Sequence, residues 1–502
     1  MVSCLKRRGL LFLLCVVLGV LTLGCVNDDL DGANNSGTED NTGGGNGWQE
    51  RPIGGSTSKP DDSWAEGELD WVFDMGVLPQ IRITITEEQW NELLKEYDRD
   101  SNTAHYIHCD AEFKSKGETH FFEDAGLRLR GNTSRRRPEG NGGEMHKRDN
   151  ADWHHCHFML NLRKFQKDDA HELHNVRKLH LKWHKDDPAY CRELYCYDLF
   201  RRYGVWTAAY SSYCRLWIHV EGDKEPAYYG VYEMLEVIDD KYVKKRKELF
   251  GDHQHNLWKC RWGADLNYNN IKGSSIHFDD DSGANYTYEL KTNIENFEVA
   301  KAQLFEFSKN LTRLEGQEFH DWIAKVCDVE LLLRTYAVNV VVGMWDDYWN
   351  NTNNFYIYFN SSDKDNYKFF LIPFDYDNTL GTSNYCGVQE DAGRHDPLNW
   401  GDTGRSPLIG KILKFEDYRK IYVDALHELC DPERELFHYQ SSIARINSWH
   451  NMISSYVDND TEEDCEIKDR PAGWGNKGDY RILNENSSKN FFKIKAASIP
   501  ER

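Results

Sequence analysis

Two aromatic-rich apolar runs, Phe355-Tyr356-Ile357-Tyr358-Phe359 and Phe369-Phe370-Leu371-Ile372-Pro373, each abut a cluster of acids and amides. The first is preceded by Trp345-Asp346-Asp347-Tyr348-Trp349-Asn350-Asn351-Thr352-Asn353-Asn354, and the second is followed by Phe374-Asp375-Tyr376-Asp377-Asn378. Apolar runs of this length read as buried elements. The chain must therefore build an interior that carries carboxylates at its ends. A third run, Val338 to Val342, leads into the first cluster in the same way. Asp and Asn also form turns, so a solvated hairpin tip and a capped turn remain the plain alternatives.

Together the clusters offer what phosphoryl transfer requires. One carboxylate can accept a hydroxyl proton, while an amide and further carboxylates hold magnesium against the phosphates. Two carboxylates a few ångströms apart would also suit a glycosidase-type hydrolase. No Gly-x-Ser-x-Gly elbow, Walker loop or His-Glu-x-x-His is present, so the serine-hydrolase, P-loop and zincin readings have no foothold.

The 502 residues, 39% hydrophobic, suffice for a large core or two lobes. A net charge of -22 argues against a nucleic-acid partner, because no broad positive field is there to meet phosphates. Residues 1–25 have the order of an export signal: Lys6, Arg7 and Arg8, an apolar run, then Gly24-Cys25. Cys25 is expected to carry a lipid, as in bacterial lipoproteins. Residues 26–65 are rich in Gly, Asn, Ser and Asp and read as a flexible tether. Asp28, Asp29 and Asp31 resemble the acidic signal of surface lipoproteins, which places the protein in the envelope of a Gram-negative bacterium, at the outer membrane or cell surface. Ten of the thirteen cysteines follow the tether. In an exported chain they permit disulfides, with single buried thiols as the alternative.

Residues 66–502 read as α+β, with a sheet-rich part over about 66–295 and a helical part over about 296–502. Gln80 to Ile85 alternates as a strand, and Thr86 caps a helix running to about Tyr97. Cys191 to Tyr203, Ala300 to Asn310 and Phe319 to Val342 have helical spacing, the last apolar enough for a central buried helix. In Gly126-Leu127-Arg128-Leu129-Arg130-Gly131-Asn132-Thr133-Ser134 the leucines share one strand face and Arg128 and Arg130 the other, with a turn beyond. Arginines, an amide and hydroxyls beside a glycine could face phosphate. A polar outer face with a turn is the alternative. Trp153-His154-His155-Cys156-His157 suggests zinc, but alternation directs at most two ligands together, so surface histidines are the better reading.

Several of these segments together resemble the CotH kinase family. They are the Gly126–Ser134 loop, Lys178-Leu179-His180-Leu181-Lys182, Cys191-Arg192-Glu193-Leu194, Tyr229 to Glu236 and Asn256-Leu257-Trp258-Lys259. The two acidic clusters and the tail Asn490-Phe491-Phe492-Lys493-Ile494-Lys495 complete the set. The resemblance implies an atypical protein-kinase-like fold, a mixed-sheet lobe and a helical lobe with ATP between them, passing the γ-phosphate to Ser or Thr of a protein. It also implies Asp346 as the catalytic aspartate that orients and deprotonates the acceptor hydroxyl, with Asp347 its neighbouring rival. Asn354, Asp375 and Asp377 would hold Mg2+ or Mn2+, with Asn351 and Asn353 close enough to compete for the amide role. Lys182 would meet the phosphates and Glu236 would position it, with Lys259 the main rival lysine. A basic pair usual in the family is missing at His154 to Phe158. The implied function is a lipid-anchored kinase acting on envelope or surface proteins. A non-catalytic lipoprotein adhering to protein or glycan is the alternative, suggested by sixteen Trp and twenty-seven Tyr.

Overall fold

Alternation decides the first half of the fold. In Gln80–Ile85 (β1), Ile81, Ile83 and Ile85 are buried while Arg82 is exposed. In this computed structural model, which describes residues 68–279, 284–382, 391–402, 404–471 and 479–501, β1 opens a seven-stranded closed barrel. The remaining strands are β2 (Ile107–Ser115), β3 (Glu118–Arg130), β4 (His157–Asn161), β5 (Lys178–Lys182), β6 (Ser211–Val220) and β7 (Ala227–Glu236). Their order is β1-β2-β3-β4-β5-β7-β6, and all neighbours are antiparallel except β1 and β6, which close the barrel in parallel. Leu127, Leu129, Phe158, Leu160, Leu179, Leu181, Leu216 and Ile218 fill the interior with the β1 isoleucines. Each such buried side chain contributes roughly 2 kcal/mol of transfer free energy.

A second sheet is assembled from β8 (Asn256–Cys260), β9 (Ile276–Phe278), β10 (Tyr288–Leu290), β11 (Phe355–Phe359) and β12 (Phe369–Pro373), in the order β12-β11-β8-β10-β9. The two apolar runs that dominate the sequence are thus adjacent antiparallel strands, Phe355 opposite Pro373. All ten of their residues are buried, as sequences covered on both faces require. The sheet takes strands from both sides of residue 295, where the sequence suggests a change from sheet to helix.

Seven longer helices complete the described structure: α1 (Glu87–Arg99), α2 (Arg192–Arg202), α3 (Phe297–Arg313), α4 (Gly316–Val326), α5 (Val329–Val341), α6 (Glu416–Cys430) and α7 (Tyr439–Ile453). Thr86 caps α1 as expected, its hydroxyl accepting from the Gln89 amide at 3.2 Å. The helical pattern over Phe319 to Val342 proves to be two helices, because the Asp328 carboxylate accepts from the Leu331 amide at 3.0 Å and starts α5 afresh. α5 is buried along nearly its whole length. It stops at Gly343, whose φ is +68° and where a Cβ would lie 2.9 Å from the Phe491 ring. Only glycine suits that corner, and the corner delivers the chain into Trp345-Asp346-Asp347.

The fold is α+β, as read from the sequence, but closure of the first sheet into a barrel is not visible there. Nine described cysteines are free thiols, most of them buried, so no disulfide forms among the described residues. No helix among the described residues is long and apolar enough to cross a membrane. Cys25, the export signal and the tether lie outside the described residues.

Candidate active site

Barrel register sets the first half of the site. While Leu127, Leu129 and Leu181 point inward, the intervening residues face outward in a row: Arg130 lies opposite His157, and Glu233 lies opposite both Lys182 and Tyr213. This face is covered, so all of these side chains are buried. The Lys182 ammonium donates to Glu193 in the first turn of α2, and at 2.8 Å to Asp375 Oδ1; Asp377 Oδ2 is 4.0 Å away.

Asp375 and Asp377 follow β12 directly. They converge on Lys182, though not by the extended geometry that their spacing suggests: Asp375 has φ +63°, a left-handed conformation that costs a non-glycine residue roughly 1 kcal/mol. The turn is held by the Tyr197 hydroxyl, 3.1 Å from the Asp375 amide, and by Glu193, which accepts from the Tyr376 amide at 3.3 Å. Carboxylate oxygens of Glu193, Asp375 and Asp377 lie within 4.8 Å of one another.

The charges here are unevenly matched. Burial works against the Lys182 charge, but Asp375, Glu193, Asp377 and Glu233 outweigh it and hold the lysine well above its usual range. Burial also opposes ionisation of Asp375, yet Lys182, Arg130 and Lys259 keep its carboxyl below the ordinary value. The other three acids go the opposite way. Burial raises Glu193, Glu233 and Asp377, and each is raised further by a neighbouring carboxylate. Glu233 Oε1 is buried without a hydrogen-bond partner, although such oxygens are normally paired. Convergent carboxylates with one unsatisfied buried oxygen fit a hard divalent cation, which takes oxygen ligands.

Asp346 sits in the loop after α5. The side-chain amides of Asn351, Asn353 and Asn354 all donate to it, at 2.5, 3.2 and 3.0 Å. The three asparagines thus act as a fan on one carboxylate. Burial is the main cause that lifts the Asp346 pKa to about 6, the amides opposing it and Asp375 adding to it. Asp347 is turned away. Its carboxylate caps the short helix Tyr348–Asn351 through the Asn350 amide at 2.9 Å and accepts from Asn339 of α5 at 2.6 Å. Burial raises its pKa to about 7. Asn339 in turn accepts from the Tyr376 hydroxyl, so one hydrogen-bonded chain ties the Asp346-Asp347 loop to the Asp375–Asp377 turn.

Of the residues expected from sequence, Arg130, Lys182, Lys259, Asp346, Asn354, Asp375 and Asp377 gather in this region. Lys259, on β8, lies 5.3 Å from the Phe374 ring centre and 5.8 Å from that of Tyr356. Three others do not gather. Glu236, expected beside Lys182, is opposite Leu179 and is clamped by Arg246 at 2.9 and 2.7 Å. Arg128 faces the Tyr106 ring, 5.1 Å from its centre, because its row of the barrel is covered by a separate apolar group. Asn132 forms the turn after β3, its carbonyl accepting from the Arg135 amide at 3.1 Å. Gly131 in that turn has φ +108°, and a Cβ would meet Ser134 Oγ at 2.6 Å. Beyond the turn, Thr133, Ser134 and Arg136 line a cleft of about 330 Å³ with Trp183 and Lys185.

Glu193 and Glu233 are the residues that sequence reasoning gave no role. Both lie in the motifs quoted above, and an acid in the first turn of a largely apolar helix was the available signal for Glu193. The histidines bind no common centre: His154 contacts the Arg137 carbonyl, His155 the Tyr229 carbonyl and His157 the Trp183 amide. They are also less exposed than expected, since His155 and His157 are buried.

No curated protein matches the chain. A model of the family described as CotH kinase protein matches residues 127–486. That span is more than half of the chain and contains every residue of the site from Arg130 to Asp377, so the chain belongs to the CotH kinase family.

Proposed function

We propose that the protein is an exported, lipid-anchored atypical kinase that transfers the ATP γ-phosphate to Ser or Thr side chains of envelope or surface proteins. The observation that carries this reading is Lys182 held between Glu193 and Asp375, with Asp377 beside it and Asp346 across the site. A kinase-like fold places a lysine, a helix acid and a metal-binding aspartate in this relation. A bound magnesium or manganese ion would neutralise phosphate oxygens, and Asp375 and Asp377 would hold it; Glu193 is committed to Lys182 and Asn354 to Asp346 in this arrangement. Lys182 brings a fixed positive charge to the phosphates, and Glu193 fixes its position. Arg130 and Lys259 add positive potential around Asp375.

Asp346 accepts the proton of the acceptor hydroxyl. With a pKa of about 6 it is ionised at neutral pH and still basic enough to take a proton, the range in which general bases work best. The asparagine fan holds its oxygens in place. Asp347 supports the loop from behind.

Aromatic surface gives the adhesion reading little help: among the described tryptophans Trp262 stands out as exposed, while Trp90, Trp258, Trp345, Trp349 and Trp400 are fully buried. The test is incubation of the full-length protein with γ-labelled ATP, magnesium and envelope proteins, beside Asp346→Asn and Asp375→Asn. Label transfer reduced about 10²–10⁴-fold in Asp346→Asn is expected of a lost general base. Nucleotide-independent glycan or protein binding, with no transfer by the wild type, would replace the kinase reading with the adhesion one.

A further inference from the structure

Far along the barrel from Lys182, two tight turns bring together a second set of ligating groups. The β2–β3 hairpin turns at Lys116-Gly117, both with positive φ, and β3 then presents Glu118 and His120, two residues apart and so on one strand face. The bridge between Leu173 and Val176 encloses His174 and Asn175, again both with positive φ. One ligand atom from each of Glu118, His120 and His174 falls within 4.8 Å of the others, and His120 Nε2 is already 3.3 Å from Glu118 Oε2.

The surroundings hold the imidazoles in place. Trp71 stacks on His174 with ring centres 4.1 Å apart and meets His120 edge-on at 5.4 Å. His174 Nε2 is buried without a hydrogen-bond partner. The nearby Lys116 charge is matched by Asp74 at 2.9 Å. Glu118 is exposed, leaving room for water as a further ligand.

From this we infer that Glu118, His120 and His174 form a divalent transition-metal site, suited to zinc, that pins the β2–β3 hairpin to the 173–176 turn. Two imidazoles and one carboxylate with an open position are a zinc-type set, whereas the all-carboxylate group around Asp375 suits magnesium. The two sites would therefore select different ions within one chain. Zinc here would add stability by binding the folded state alone, and the inference is independent of phosphoryl transfer.

The experiment is titration of chelator-treated full-length protein with zinc, and with cobalt as a visible reporter of imidazole coordination. One equivalent is expected to bind and raise the melting temperature. His120→Ala and His174→Ala should each weaken binding about a hundredfold or more, and Glu118→Gln, at an exposed position, about tenfold, as loss of one ligand from three predicts. Asp375→Ala should leave this equivalent in place. Absence of binding, or zinc binding that survives both histidine substitutions and Glu118→Gln, would overturn the site. Should a histidine variant fail to fold, Glu118→Gln and the cobalt spectrum decide alone.

Discussion

Two buried cation–carboxylate pairs lie close together on the barrel, and they could hardly differ more in balance. Arg246 grips Glu236 through two nitrogens, and the Tyr210 amide donates to the same carboxylate at 3.1 Å. Both Glu236 oxygens are taken, and with Lys245 also nearby no carboxylate there is left in excess, so the pair is closed. Lys182, by contrast, serves Glu193 and Asp375 while Asp377 and Glu233 crowd in behind. Burial alone does not mark a functional ion pair; an excess of one sign that the fold leaves uncompensated does.

The largest expected effect comes from breaking the open pair. Lys182→Met should lower label transfer about 10³-fold, the scale seen when one preorganised electrostatic contact is removed, and radiolabel assays would read it. The closed pair should respond in the opposite register. Glu236→Gln is expected to cost about 3 kcal/mol of stability, because it strands the buried Arg246 charge, yet transfer per folded molecule should stay within about twofold of wild type. Denaturant melts alongside activity would separate the two, and a Glu236→Gln enzyme that is stable but inactive would erase the distinction.

Which acid belongs to which cation is the part of the site that the sequence conceals. Asp346, Asp375 and Asp377 were legible because each is tied by a few residues to an apolar strand or helix whose burial is plain. Lys182 was legible as the last residue of Lys178-Leu179-His180-Leu181-Lys182, one of the segments that carry the resemblance. Its partner was not, because the choice between Glu233 and Glu236 depends on the β5–β7 register, and the choice of Glu193 depends on how α2 docks. The barrel was hidden for a similar reason. β1 alternates visibly, but nothing local announces that it will pair in parallel with β6, over a hundred residues later. Asp347 is a smaller case: adjacent acids look equivalent until one of them caps a helix.

Metal should sharpen the contrast further. Magnesium at a hundred times its dissociation constant would stabilise the folded protein by about 2.7 kcal/mol, and Asp375→Asn should abolish that gain while Glu236→Gln keeps it; thermal shifts with and without magnesium would show this. The smallest effect expected is in pH dependence without metal. Glu193, Glu233 and Asp377 have folded pKa values above their unfolded ones, so the folded state binds the extra protons and stability must fall as pH rises above the ordinary carboxyl range. Glu233→Gln should flatten that slope in melts carried out in chelator, and an unchanged slope would mean that the crowding is relieved in some other way.

Barrel closure has a practical corollary for anyone trimming the chain. The family match begins at residue 127, after β1, β2 and most of β3. A truncation at that boundary would strip β6 of its parallel neighbour and leave β4 beside a stub of four residues, Leu127 to Arg130. Unpaired strand edges of this kind invite intermolecular pairing. The recognisable domain is thus shorter than the folding unit, and soluble fragments should begin no later than the residues ahead of Gln80.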